Sequence, residues 1–173
     1  LPGVLKLVTG KRWIPHLRSQ LVTICGSINP ITLRQLDEAQ RHGAVRIQLT
    51  PEQKLDPNWL DSRLGREAVA EWFRKLREAP CAIVEGNQAG EGDATRRYAQ
   101  EHGMDLEALR RQIAMTMGGV LERLLCLGMD ATFLVTGGDT LLAFMRCIGQ
   151  NELIPIGELA PGVVLSQIEY RGK

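Results

Sequence analysis

One local unit recurs along this sequence and limits what it can fold into: a short apolar or β-branched run that stops at a glycine and gives way to a helix. Leu21-Val22-Thr23-Ile24-Cys25 is such a run, ended by Gly26, and its lack of polar alternation predicts a strand buried on both faces. Asn29 and Pro30 follow, an N-cap residue and a first-turn proline, and predict a helix through about Arg41 that stops at Gly43. Ala44 to Leu49 alternates as a strand does. Arg66 to Glu78 then places Val69, Trp72, Phe73 and Leu76 on one helical face, and Cys81 to Val84 is another short apolar strand. Ala131 to Thr136 ends in the same way, with Gly137-Gly138 leading into a helix from about Thr140 to Ile148. Strands alternating with helices predict an α/β fold, built on a mostly parallel sheet with helices on both faces.

The segments between these units are less uniform. Residues 1–19 carry Lys6, Lys11, Arg12 and Arg18 among apolar positions without a period, which predicts a linker or arm, with the domain proper over 20–173. Between Gly86 and Asp93 there are three glycines and no periodicity, so this stretch is expected to be a loop, either a lid or, more simply, a surface connection. From Asp105 to Leu127 the positions Leu106, Leu109, Ile113, Met117, Val120, Leu124 and Leu127 recur three and four apart. They form the stripe of a long amphipathic helix that belongs to the core, with Asp105 as N-cap and Gly128 as its stop. Gly118 and Gly119 inside it each cost about 1 kcal/mol relative to alanine, so a close contact or a kink is expected there. Leu153 to Ile156 and Val163 to Tyr170 predict two further strands around Ala160-Pro161-Gly162, the antiparallel part of the fold.

Composition narrows the class of partner. Of 173 residues, 44% are hydrophobic, and 21 Lys and Arg face 20 Asp and Glu. That is enough apolar material for one core and gives no basic surplus for nucleic acid or an anionic membrane. Cys25, Cys81, Cys126 and Cys147 are widely separated in apolar surroundings, which predicts small buried residues in a reducing compartment and no disulfide framework. His16, His42 and His102 are isolated and no Cys-x-x-Cys occurs, so no zinc site is expected. No apolar run approaches the roughly 20 residues of a membrane span, and a cytoplasmic location is expected. The chain opens on Leu1, which fits a piece of a longer protein, and its oligomeric state is open, a homo-oligomer included.

Two places share one design for binding. Gly26-Ser27 leads into the helix at Pro30, and Gly137-Gly138-Asp139-Thr140 leads into the helix after it. Glycine lets a backbone approach its ligand, and the first turn of a helix offers N–H groups with partial positive charge, a natural seat for phosphate. In an open parallel sheet ligands bind beyond the carboxyl ends of the strands, where both turns lie. If the two strands are neighbours, Ser27 and Thr140 face the same phosphates or ribose. Geometry alone also explains either glycine corner taken singly. No Gly-Lys-[Ser/Thr] and no Gly-x-Gly-x-x-Gly after a strand is present, which disfavours a P-loop enzyme and a dinucleotide enzyme. Asp139 either holds a magnesium-bound water or caps its helix. Glu85, Glu158 and Glu169 lie near strand ends and are expected at solvated surface, and no catalytic base stands out.

These residues resemble the four-carbon acid sugar kinases. In that family a strand ends in Gly-Ser-x-Ser-Pro-x-Thr, similar to Gly26-Ser27-Ile28-Asn29-Pro30-Ile31-Thr32. A later strand ends in Thr-Gly-Gly-[Asp/Glu]-Thr, matched by Thr136 to Thr140, and Glu158-Leu159-Ala160-Pro161-Gly162 matches a Glu-[Ile/Leu]-x-Pro-Gly segment after it. The resemblance implies a C-terminal domain that binds ATP with Mg, with Ser27, Gly137, Gly138, Asp139 and Thr140 as nucleotide contacts. It further implies a kinase of 3-oxo-tetronate, erythronate or threonate type acids, acting on the terminal hydroxyl, with the acid bound by an N-terminal domain. Asn29 departs from the family serine. The family's last nucleotide loop, Ser-Gly-[Asn/Gly]-Phe-Gly, would begin after Lys173, so a truncated domain with little turnover of its own is expected. A non-catalytic module that senses a nucleotide or a phosphorylated metabolite is the alternative.

Overall fold

The computed structural model describes residues 17–27, 29–86, 92–168 and 170. The β-branched Val22, Thr23 and Ile24 pack into β1 (Leu21–Cys25), and Pro30–Arg41 forms α1. Asn29 Oδ1 accepts the N–H of Ile31 at 2.9 Å, so the cap read from the sequence is made. Gly43, at φ 94, turns the chain out of α1 into β2 (Val45–Gln48). The sequence pattern assigned no element to the next stretch, yet it holds α2 (Pro51–Leu55) and a 3-10 turn over Trp59–Asp61. Thr50 and Gln53 cap α2 reciprocally, and Ser62 caps α3 (Arg63–Arg77), which starts three residues earlier than its apolar face suggested.

After β3 (Cys81–Glu85) the expected loop is only partly described. Residues 87–91 lie outside the described set, and α4 (Gly92–Glu101), which the sequence did not announce, begins before the expected end of that loop. The long helix α5 (Leu106–Cys126) has Asp105 as its N-cap and is followed by Gly128 at φ 90, both as expected. β4 (Thr132–Thr136), α6 (Gly138–Cys147) and an antiparallel hairpin of β5 (Ile154–Ala160) and β6 (Val163–Gln167) complete the chain. Residues 17–20, where the expected arm of 1–19 meets the domain, are tied down. Arg18 pairs with Asp130 at 2.8 Å, its N–H donates to Thr132 Oγ1, and Gln20 Nε2 donates to the carbonyls of Leu76 and Ala79.

The main sheet has the order β2-β3-β1-β4 and is parallel throughout. Alternation along each strand separates its two faces. Val22, Ile24, Ala82 and Val84 point into the larger core, which α3, α5, α6 and the 3-10 turn fill with Trp59, Trp72, Leu76, Met117, Leu121, Leu124, Phe144 and Met145. Cys25 and Ile83 point the other way, against Leu33 and Leu36 of α1. The α/β architecture with helices on both faces and an antiparallel C-terminal part is therefore the one observed.

The stripe on α5 is buried through its middle, at Ile113, Met117, Val120 and Leu124, while Leu106 and Leu127 at its ends are exposed. Gly118 earns its place by contact: a Cβ there would lie 2.5 Å from the backbone nitrogen of Phe144 in α6. Two expectations need correction. Cys25 is buried, but Cys126 and Cys147 are exposed, because both fall off the core face near the ends of their helices; all four thiols are free. Glu85 is fully buried instead of solvated, because Arg46 from β2 reaches it. No helix among the described residues is long and apolar enough to cross a membrane.

Candidate functional site

β1 and β4 are neighbours in register, Cys25 opposite Thr136, and the N–H of Gly26 extends the ladder to the carbonyl of Thr136 at 3.3 Å. On the other side Cys25 lies opposite Glu85, and the N–H of Gly86 donates to the Cys25 carbonyl at 3.0 Å. The three adjacent strands β3, β1 and β4 thus end, one residue past their paired positions, on Gly86, Gly26 and Gly137. Sequence reasoning singled out two of these glycines. The third is part of the same row, and only the register reveals it.

The connections leaving β1 and β4 diverge. α1 packs on the Cys25 face and α6 on the opposite one, so a crevice opens over the seam between the two strands, at the position where open parallel sheets hold their ligands. Gly137 turns the corner at φ 99, a conformation that disfavours any side chain. It is also the N-cap residue of α6 and supplies no side-chain oxygen, so the first N–H groups of that helix are left for another acceptor. Gly137, Gly138 and Asp139 are exposed there.

The opposing corner is built differently. Ser27 is half-buried, its Oγ accepts the N–H of Asn29 at 3.1 Å, and Asn29 in turn caps α1. The Ser27 hydroxyl keeps its own proton to donate. Thr140 is brought to the seam but is only 2% exposed. Its Oγ1 occupies the space above Gly26, where a Cβ would come within 2.0 Å of it. Thr140 therefore braces the two corners against each other, while Ser27, Gly137, Gly138 and Asp139 form the accessible surface. Thr136 Oγ1 is buried without a conventional hydrogen-bond partner among the described residues, and the thiol of Cys25 beside it is a weak one. Burial pushes that thiol above its usual range, with the contacts to Thr136 and to the Ser27 backbone opposing it.

A charged network underlies the glycine row, and sequence reasoning missed it. Arg46 donates to both oxygens of Glu85, at 3.0 and 2.8 Å, and also to Asp37 of α1 at 2.6 Å and Gln40 at 3.0 Å. Gln48 Nε2 donates to the same carboxylate. Burial works against the Arg46 charge, but its hydrogen bonds to Glu85 and Asp37 outweigh it and hold its pKa above the ordinary value. Removing one member of such a buried pair typically costs about 3–5 kcal/mol, because the other charge is stranded. The network thus clamps α1, and with it the Ser27 corner, to the ends of β2 and β3. A signal was present: Arg46 alternates with Val45 and Ile47, so the strand period puts it on the face that bears Glu85. Of the other two glutamates, Glu158 is exposed as expected and accepts the N–H of Gly162, and Glu169 lies outside the described residues.

A family model described as a nucleotide-binding C-terminal domain matches residues 22–172. Among solved structures, a domain of unknown function from Bordetella bronchiseptica, crystallised with bound citrate as a domain-swapped dimer, superposes with a TM-score of 0.57 at 20% identity. The match covers 85% of this chain and 32% of that one, so the chain spans about a third of the length of that protein. No curated protein matches the sequence. With nearly every described element inside the matched range, the chain belongs to the nucleotide-binding C-terminal domain family.

Proposed function

We propose that this chain is the ATP-binding domain of a kinase that phosphorylates a four-carbon sugar acid, of 3-oxo-tetronate, erythronate or threonate type, at its terminal hydroxyl. The observation that carries the proposal is the meeting of the two sequence motifs at one crevice, where Gly26-Ser27 and Gly137 to Thr140 face each other across the β1–β4 seam. Backbone N–H groups at the uncapped start of α6 and the Ser27 hydroxyl are donors suited to phosphate oxygens, and the glycines let those oxygens approach. Asp139 supplies one carboxylate at the rim, and no group of three His, Cys, Asp or Glu that could hold a metal occurs among the described residues. Mg would accordingly come with the phosphates, and Asp139 would meet it through water. The family membership supports the nucleotide, and the resemblance of the three motifs to the acid sugar kinases supports the acceptor.

The acid and the group that takes its proton belong, on this proposal, to an N-terminal domain of the longer protein. Calorimetric titration of the chain with Mg-ADP tests the nucleotide half: micromolar to millimolar binding is expected, and none at millimolar ligand would sink it. Full-length protein incubated with ATP and a panel of four-carbon sugar acids tests the other half, and phosphate transfer to a different acceptor would overturn the substrate while sparing the site. A sensor of nucleotide or phosphorylated metabolite is the second reading, since the donors at the seam, the Ser27 hydroxyl and the uncapped start of α6, suit phosphate binding in either role. Binding without turnover in the full-length protein would select it.

A further inference from the structure

We infer that Arg110 is a phosphate-binding residue of this crevice, the cation that its glycine corners lack; the inference rests on the nucleotide reading above. The direction of α5 is set by its exit. Cys126 is followed within a few residues by Thr132, which begins β4 opposite Leu21 at the far edge of the sheet, so the N-terminal turns of α5 lie at the glycine end. The level is set by Gly86. A Cβ there would meet Ile113 Cγ2 and Met117 Sδ, each at 3.1 Å, which places the 113–117 turn of α5 beside the glycine row. With a rise of about 1.5 Å per residue, the helix continues about 10 Å past Ile113 before it begins at Leu106. This overhang forms a wall of the space beyond the strand ends.

Helical periodicity decides which residues line that wall. Leu106 and Arg110 precede Ile113 by seven and three positions and Met117 by eleven and seven, so they share the face turned to Gly86. Nothing described covers it: Leu106 is 63% exposed and Arg110 is exposed. Among the described residues Arg110 has no ion pair. Helical side chains lean toward the helix N-terminus, so its stem runs along the overhang into the space beyond the strand ends, where phosphates would lie.

The site has need of such a charge. Ser27, Thr140 and the three glycines are neutral and Asp139 is anionic, while Arg46, the cation joined to the row through Glu85, is committed to Glu85 and Asp37. A guanidinium on the opposite wall would bind terminal phosphate oxygens in its planar fork. Arg74, equally exposed, lies near the end of α3 that leads into the start of β3, at the opposite end of the sheet from the glycine row.

Titration of the full chain with Mg-ADP and with AMP, for the native protein, R110A, R110K and R74A, tests this. The expected result is that R110A weakens Mg-ADP tenfold or more, weakens AMP less, and R110K recovers part of the loss, whereas R74A binds as the native chain does. Unchanged far-UV circular dichroism and melting temperature for R110A separate this from misfolding. Equal Mg-ADP affinity of R110A and R74A would overturn the role of Arg110 and leave the nucleotide reading standing. Failure of the native chain to bind either nucleotide would overturn both.

Discussion

At the scale of single residues, the seam depends on what is missing from Gly26. Its two neighbouring strands could pair without a glycine, since the ladder uses only backbone groups; the demand comes from Thr140, whose buried hydroxyl fills the place of a side chain. Gly26→Ala is therefore expected to destabilise the chain by about 1–3 kcal/mol, the usual cost of overpacking a closed site. In a Thr140→Ala background the same substitution should cost clearly less, because the opposing atom is gone. Urea denaturation of the two single variants and the double variant measures the coupling, and strictly additive losses would show that the two corners are not braced in this way. Glu85 carries the complementary lesson about legibility. As the last residue of an apolar strand it looked like a solvated end, and nothing local distinguishes it from one. Its burial is set by Arg46 and Gln48 from another strand and by Asp37 from a helix, all of which approach only in the folded chain.

At the scale of elements, what was legible in the sequence is what neighbouring residues decide. Asn29 and Pro30 announced α1 because a cap and a fixed φ act within one turn, and the glycine stops announced the ends of α1 and α5 for the same reason. α2 and the 3-10 turn escaped because they are too short to show a period, and α4 because its apolar face is built of few and mostly small residues, Ala94, Tyr98 and Ala99. The paired glycines of α5 show local cost and tertiary gain side by side. Alanine at either position gains about 1 kcal/mol of helix propensity. At Gly118 the added carbon would press on the backbone of Ala143 and Phe144, and at Gly119 on the side-chain ends of Leu60 and Arg123. Gly118→Ala is accordingly expected to lower stability by about 1–2 kcal/mol, since overpacking against an immovable backbone exceeds the propensity gain. Gly119→Ala should be neutral or slightly stabilising. Thermal or urea unfolding of the two variants decides it, and equal effects would mean that α5 and α6 can part without cost.

At the scale of the whole molecule, the sheet order could not be read from the sequence, because β1, β3 and β4 are short apolar runs that fit any neighbour. That order is what turns two ordinary glycine corners into one crevice. A ligand held there bridges β1 and β4 and should stabilise the domain as a unit. At a hundredfold excess over its dissociation constant, Mg-ADP contributes about 2.7 kcal/mol, which for a chain of this size corresponds to a rise in melting temperature of about 5–10 °C. Differential scanning fluorimetry across an ADP series checks this, and a flat series would contradict a site at the seam. The β1–β4 pairing also has a consequence in time. Arg18 and Thr132, which meet at its base, are 114 residues apart in sequence. During synthesis β1 can find β3 as soon as that strand emerges, but the crevice stays incomplete until β4 and the start of α6 arrive, and closing so long a loop is slow. A nascent chain stalled before residue 132 would hold a partly paired sheet with one edge of β1 unfilled, a surface that invites pairing with another chain.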